Sequence, residues 1–354
     1  IAAGEHSQFT AVFFVVSGVG QAMAGFGVDR FGALRILLAG ISCFVLAGLG
    51  LAMATSSSAL YAIAALAGLG NAVFHPADFT VLNRHVSQPR LGHAFSVHGL
   101  SGNLGWAVAP LFLTGLATLA GWRIAAAATI FVAIPAMLLL WRHRALLDTG
   151  HHAHAAKQPG HGALDFMRVG AVWLCFAFFF LITAAFGAIQ NFATPILQNL
   201  YQLPLGLAAT ALSTYLLAGA GGILVGGFVA QKQANDRIIA VVLGIAALLA
   251  VLLAASVLPG WAVLPLMAGI GFFSGIAGPS RDLLVRRAAT ARFGQAAYGR
   301  IYGFVYSGLD AGLAVAPLVF GGYMDRGQYA AVLVGIALLQ AGAILTALRV
   351  GRAA

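Results

Sequence analysis

Gly105-Trp106-Ala107-Val108-Ala109-Pro110-Leu111 recurs as Gly312-Leu313-Ala314-Val315-Ala316-Pro317-Leu318, with six of the seven positions identical. Upstream of these blocks, Ala67-Gly68-Leu69-Gly70 is echoed by Ala268-Gly269-Ile270-Gly271, and Pro76 by Pro279. Each block lies in an apolar run, and the blocks keep the same order and direction in both parts of the chain. Apolar Gly/Ala-rich helices resemble one another by chance, but chance does not preserve order and register, so the pattern reads as an internal duplication.

The composition says what solvent the duplicated units face. Of the 354 residues 61% are apolar and only 8% charged, with a mean hydropathy of +0.93. A water-soluble domain carries roughly 25% charged residues, so this chain has too little polar surface to cover a globule in water. The 45 glycines fit membrane helices, which approach one another closely through small residues. Cys43 and Cys175 each sit in an apolar run and imply no disulfide framework.

A bilayer core about 30 Å thick is crossed by about 20 helical residues. That ruler predicts an all-α polytopic membrane protein of about 11 helices, at 8–28, 35–54, 59–81, 93–118, 122–141, 166–190, 207–230, 237–256, 261–281, 299–323 and 328–348. Threading the spans alternately puts 17 of the 19 Lys and Arg residues on one side, leaving Arg123 and Arg326 on the other. The positive-inside rule makes the rich side cytoplasmic. The formal charge of +10 is then a topological signal toward anionic lipid, and nucleic acid is not expected as a partner.

The same threading starts the first span outside and places the linker and the C-terminus inside. A chain that begins at Ile1 in this orientation is expected to be a fragment lacking its first helix. The polar stretch 142–165 divides an N-terminal bundle (1–141) from a C-terminal one (166–354), giving two pseudo-symmetric six-helix bundles once that helix is restored. Parallel repeats of this kind place a solute site between the halves near mid-membrane.

Between the first two spans lies Gly25-Phe26-Gly27-Val28-Asp29-Arg30-Phe31-Gly32-Ala33-Leu34-Arg35. It resembles the Gly-x-x-x-Asp-Arg-x-Gly-x-x-Arg loop of the major facilitator superfamily (MFS), where it joins the second and third helices. The resemblance implies a gating role for Gly25, Asp29, Arg30, Gly32 and Arg35, with the acid and the arginines forming a charge network at a helix end. In the second half the copy Gly226-Gly227-Phe228-Val229-Ala230-Gln231-Lys232 has Ala230 where the acid would stand, so gating is expected to be asymmetric. Gly102, Gly105 and Pro110, with Gly312 and Pro317 in the second copy, are similar to the helix-packing motif of proton-coupled exporters, although Ala109 replaces the usual glycine. Gly70-Asn71-Ala72-Val73-Phe74-His75-Pro76 resembles the fosmidomycin-resistance branch.

Ionisable residues inside a bilayer are costly and are read first as functional. Asp310 lies about ten residues, or about 15 Å, beyond Arg300, and its repeat mate is Asn103. A carboxyl with an amide mate suits a proton or cation site; the competing reading is a structural hydrogen-bonded carboxyl. His75 and Asp78 are three apart on one helix face, with Pro76 between them loosening the helix. They read either as a second proton site or as a structural pair with Arg84. His98 would join that cluster or pack as a neutral ring. Gln190 and Asn191 close the span at 166–190. The histidines of the linker (His143, His151, His152, His154, His161) are spaced irregularly without Cys, so no metal site is expected.

No phosphate-binding Gly-x-x-x-x-Gly-Lys-Ser/Thr loop is present, which leaves ATP-driven transport without support. No enzyme activity or bound cofactor is expected, and a proton gradient is the energy source the reading implies. The expected protein is a monomeric inner-membrane transporter that moves a small molecule by alternating access. Efflux is preferred and uptake of a sugar or organic anion is the alternative.

Overall fold

The computed structural model describes residues 3–147, 164–230, 236–293 and 297–353. Every regular element among them is helical: α1 (Ala3–Phe31), α2 (Ala33–Met53), α3 (Ser57–Asn71), α4 (Phe74–His85), α5 (Leu91–Ala120), α6 (Trp122–Ala128), α7 (Ile130–Arg142), α8 (Arg144–Leu147), α9 (Gly170–Leu200), α10 (Leu205–Val229), α11 (Asp236–Ala255), α12 (Val263–Phe293), α13 (Tyr298–Asp325) and α14 (Tyr329–Ala353). Ten segments among the described residues are long and apolar enough to cross a membrane, with α3–α4 and α6–α7 each forming one segment. The 30-residue α5 is a further long helix.

Local chemistry explains the joints. Gly32 and Gly121 have nearly the same backbone, φ 85°, ψ 153° and φ 86°, ψ 155°. Each turns one helix into the next through a single residue, at a positive φ that glycine adopts without a Cβ clash. The Ser56 hydroxyl caps α3 by accepting from the Ala59 N–H at 3.3 Å. The α3–α4 interruption falls at Ala72–Val73, four residues before Pro76, because a proline ring collides with the carbonyl of residue i−4. The α6–α7 interruption falls at Thr129, whose hydroxyl donates back to the Ala126 carbonyl at 2.7 Å and bends the helix there.

Several helices run past their apolar ends. The span expected to stop at Gln190-Asn191 continues through Pro195 to Leu200, and α12 passes through Pro279 to Phe293. A hydropathy ruler measures the lipid-crossing length, whereas the hydrogen-bonded helix extends into the interfacial region beyond it.

The chain forms two compact units, each discontinuous in sequence. The first comprises 1–85, 104–168 and 292–310; the second comprises 86–103, 169–291 and 311–354. Two helices divide well inside their length between the units, α5 after Asn103 and α13 after Asp310, while α12 gives only its last two residues to the first unit. Asn103 and Asp310 are repeat mates, so the duplication read in the sequence is also a duplication of where each helix changes unit.

In the first unit Val28, Ala33, Leu37 and Ala77 form a buried cluster flanked by Ile36, Phe74, Val81 and Leu140. In the second unit α9, α11 and α14 enclose a larger apolar core that includes Ile189, Ile196, Leu253, Met267, Ile270 and Ile336. There α10 and α12 meet through glycines: a Cβ on Gly222 would collide with the Phe272 carbonyl, and one on Gly275 with that of Gly219. Such close approach gains van der Waals contact where the surrounding lipid gives no hydrophobic drive. Side chains such as Met53, Phe131 and Leu318 remain largely exposed and form the apolar face that lipid covers.

Candidate functional site

Within the first unit, α1 and the 298–310 part of α13 present matched faces. Ser17, Gln21, Gly25 and Asp29 recur every four residues on α1; Tyr298, Tyr302, Tyr306 and Asp310 do so on α13. Glycine makes the approach possible. A Cβ on Gly25 would overlap the Gly299 carbonyl and lie 2.6 Å from the Arg300 Cα, and one on Gly303 would lie 2.5 Å from the Gln21 carbonyl oxygen.

Each end of this pair is closed by a carboxylate that reaches the other helix. At one end Asp29 of α1 accepts from the backbone N–H groups of Gly299 (3.0 Å) and Arg300 (3.2 Å) and from Arg300 Nε (3.2 Å). Those N–H groups belong to the first turn of α13, which lacks intrahelical partners and carries the positive end of the helix dipole. At the other end Asp310 of α13 accepts from Ser17 Oγ (2.8 Å) and Gln21 Nε2 (3.3 Å) of α1. Asn71 of α3 donates to Ser17 Oγ at 2.8 Å. Asp310 is only 5% exposed, Ser17 0% and Gln21 1%. Among the described residues Asp310 has no ion-pair partner; both of its hydrogen-bond donors are neutral.

Between the two carboxylates the face of α13 is aromatic. Tyr298, Tyr302 and Tyr306 are fully buried. Phe79 of α4 stacks on Tyr302 at 5.2 Å and tilts against Tyr306 at 4.6 Å. Asn83 Nδ2 donates to the Tyr302 hydroxyl at 3.1 Å. His75 joins the upper end of this ladder, with its ring 5.0 Å from that of Tyr306. Asp78, its neighbour one turn on, has no hydrogen bond or ion pair among the described residues. Arg84 lies within electrostatic reach of Asp29 and Tyr298.

The second unit contains the repeat-related pair, the 91–103 part of α5 against α10. Ala230 takes the place of Asp29 and packs on Gly92, within 3.1 Å of where its Cβ would be. The Ser96 hydroxyl donates to the Ile223 carbonyl, and His93 meets the Phe228 ring edge-on at 4.8 Å. Asn103, the mate of Asp310, donates to the Gly99 carbonyl of its own helix at 3.1 Å. This pair is held by packing and neutral hydrogen bonds.

Arg30 lies over the Phe31 ring at 5.1 Å and Arg35 is exposed; the ion pair of Asp29 is to Arg300 of α13. His98 lies in the second unit, within electrostatic reach of Asp282 and Arg281. Arg281 pairs with Asp282 at 2.8 Å and covers the Phe179 ring at 4.5 Å. A Cβ on Gly312 would press on α9, 2.6 Å from the Phe180 carbonyl oxygen, whereas those on Gly102 and Gly105 would meet nothing within 4 Å. Pro317 lies inside α13; the side chain of Pro110 and linker residues 148–163 lie outside the described set. Sequence reading missed Ser17, Gln21, Asn71 and Arg300 as site residues; the signal for Ser17 and Gln21 was the four-residue spacing of polar and small residues on α1.

Ten segments of membrane-crossing length among the described residues, with a duplicated sequence pattern, make this an integral membrane protein. The chain matches the Major Facilitator Superfamily over residues 2–317 and belongs to that family. It is 28% identical over 322 residues to the Fosmidomycin resistance protein of Escherichia coli (strain K12), covering 88% of this chain and 76% of that one. Among solved structures it resembles the human organic anion transporter MFSD10 (TM-score 0.78, 14% identity, 97% of this chain and 83% of that one). It also resembles the Escherichia coli fucose:proton symporter FucP (TM-score 0.77, 14% identity, 98% and 91%). At these identities the structural likeness is one of fold. The chain is therefore an MFS-type secondary transporter with a small-molecule substrate.

Proposed function

We propose that this transporter is a proton-coupled exporter working by alternating access in a bacterial inner membrane, with Asp310 as the proton carrier and the α1–α13 clasp as the gate. The observation that carries the reading is the buried Asp310 carboxyl, which holds α1 through neutral donors alone. A carboxylate in that setting is a costly charge, and a proton removes it while weakening its hold on the Ser17 and Gln21 donors. Asp29 closes the other end of the same pair with a charge-assisted grip on the α13 N-terminus.

In this reading residues 1–141 and 166–354 are the moving halves, 142–165 is their cytoplasmic tether, and the monomer is the working unit. The clasp then joins one half to the other and must open and close in every cycle. The repeat-related α5–α10 pair has no carboxylate at either end and serves as the neutral counterpart. The name of the Escherichia coli relative, a resistance protein, supports outward transport.

The test is expression in a bacterial host stripped of its main efflux pumps, with growth inhibition recorded across antibiotics, including fosmidomycin, and toxic metabolites. Raised resistance that Asp310→Asn abolishes is the expected result. Unchanged resistance, or greater sensitivity to a compound, contradicts export and redirects the search to uptake.

A further inference from the structure

We propose that Asp310, Ser17, Gln21 and Asn71 also form a binding site for sodium, which exchanges there with the proton. The inference rests on reading Asp310 as the coupling carboxyl and names a second ion for the same site.

The side chains are an oxygen set: a carboxylate, a hydroxyl and two amide carbonyls, drawn from α13, α1 and α3. Carboxylate and carbonyl oxygens are ligands for hard cations. Gln21 Oε1 is buried and accepts no hydrogen bond among the described residues, although the nitrogen of the same amide donates to Asp310. A buried carbonyl left unsatisfied is unfavourable. Turning the amide over puts Oε1 beside the carboxylate, where a cation shared by the two oxygens satisfies both. Rotation of the Ser17 hydroxyl, now donating to Asp310 and accepting from Asn71, adds a third oxygen.

Charge counting selects a monovalent ion. With one carboxylate a single positive charge leaves the site neutral, whereas a divalent ion leaves a net charge in a low-dielectric interior.

The duplication supplies an internal comparison. Carrying the loop alignment back along the helix, Gly18 and Gly25 match Gly219 and Gly226, and Ser17 and Gln21 match Ala218 and Gly222. Asn71 corresponds to Phe272 and Asp310 to Asn103. The second copy keeps the glycines that bring helices together and has neither the charge nor most of the oxygens. Helix packing is therefore achieved without the polar set, which leaves that set to be explained by a ligand.

The experiment is thermal unfolding of the purified full chain in detergent, in sodium, potassium or choline chloride at equal ionic strength, from mildly acidic to alkaline pH. An ion that binds only the folded state raises the melting temperature. The expected result is a rise specific to sodium, largest at alkaline pH, absent in Asp310→Asn and reduced in Gln21→Ala, which keeps the carboxyl. An equal response to potassium and choline, or an undiminished response in Asp310→Asn, overturns the proposal. Proton-driven efflux by the unmodified protein in sodium-free buffer is measured in parallel, so that its loss counts against proton coupling and not against the sodium site.

Discussion

Replacing Asp29 with Ala removes three hydrogen bonds from the start of α13 in one step, at 3.0, 3.2 and 3.2 Å. A hydrogen bond to a charged group is worth about 1.5–3 kcal/mol net. The three share one carboxylate and their donors are hydrated when the clasp opens, so simple addition overstates the loss. Against that, Arg300, 23% exposed, loses its carboxylate, and truncating one partner of a partly buried pair carries a penalty of its own. A total of about 2–4 kcal/mol follows. At 1.4 kcal/mol per factor of ten, the opening equilibrium shifts roughly 30- to 700-fold. Hydrogen–deuterium exchange reads this at the backbone, because the Gly299 and Arg300 amides are the donors and exchange when the clasp opens. Exchange over 298–303 should accelerate by that factor, while 91–97 of α5, packed against Ala230 instead of an acid, should change little. Asp29→Asn keeps an acceptor and loses the charge, and should fall between. Unaltered exchange at 298–303 in Asp29→Ala would refute the claim that this carboxylate holds the helix.

Other outcomes follow from the same geometry. Ala230→Asp places a carboxylate against the first turn of α5 and should slow exchange at 91–97 while lowering the transport rate, a gain of protection that repacking alone would not give. Gly222→Val puts a side chain onto the Phe272 carbonyl and should abolish the folded peak in size-exclusion chromatography, whereas Gly206→Val, with nothing within 4 Å, should elute normally. Ser17→Ala removes the shorter of the two donors to Asp310 and leaves Asn71 without its acceptor. It should lower the melting temperature and weaken efflux in the resistance assay, and normal values for both would argue against the polar cluster.

The spans, the loop and the duplication were legible because they depend on local chemistry: hydropathy over a membrane width, glycine at a tight joint, and proline four residues after a break. Asp310 was legible as an ionisable residue deep in an apolar run. Its partners were not. Ser17, Gln21 and Asn71 are unremarkable polar residues until α1, α3 and α13 are brought together. The partner of Asp29 was expected among the neighbouring arginines, but Arg30 and Arg35 point to the surface and Arg300, 271 residues away, takes the acid. Pairings of that range are set by tertiary packing and leave in the sequence only the matched four-residue periodicities of two distant helices.

On the proposed mechanism, Asp310 carries the proton that drives transport. The most direct test compares wild type and Asp310→Asn in proteoliposomes, using a compound selected by the resistance assay. Both pH-gradient-driven accumulation and equilibrium exchange without a gradient would be followed. The account predicts that Asp310→Asn loses accumulation and keeps exchange, since exchange needs the gate and not a net proton transfer. Full gradient-driven accumulation by Asp310→Asn would contradict it.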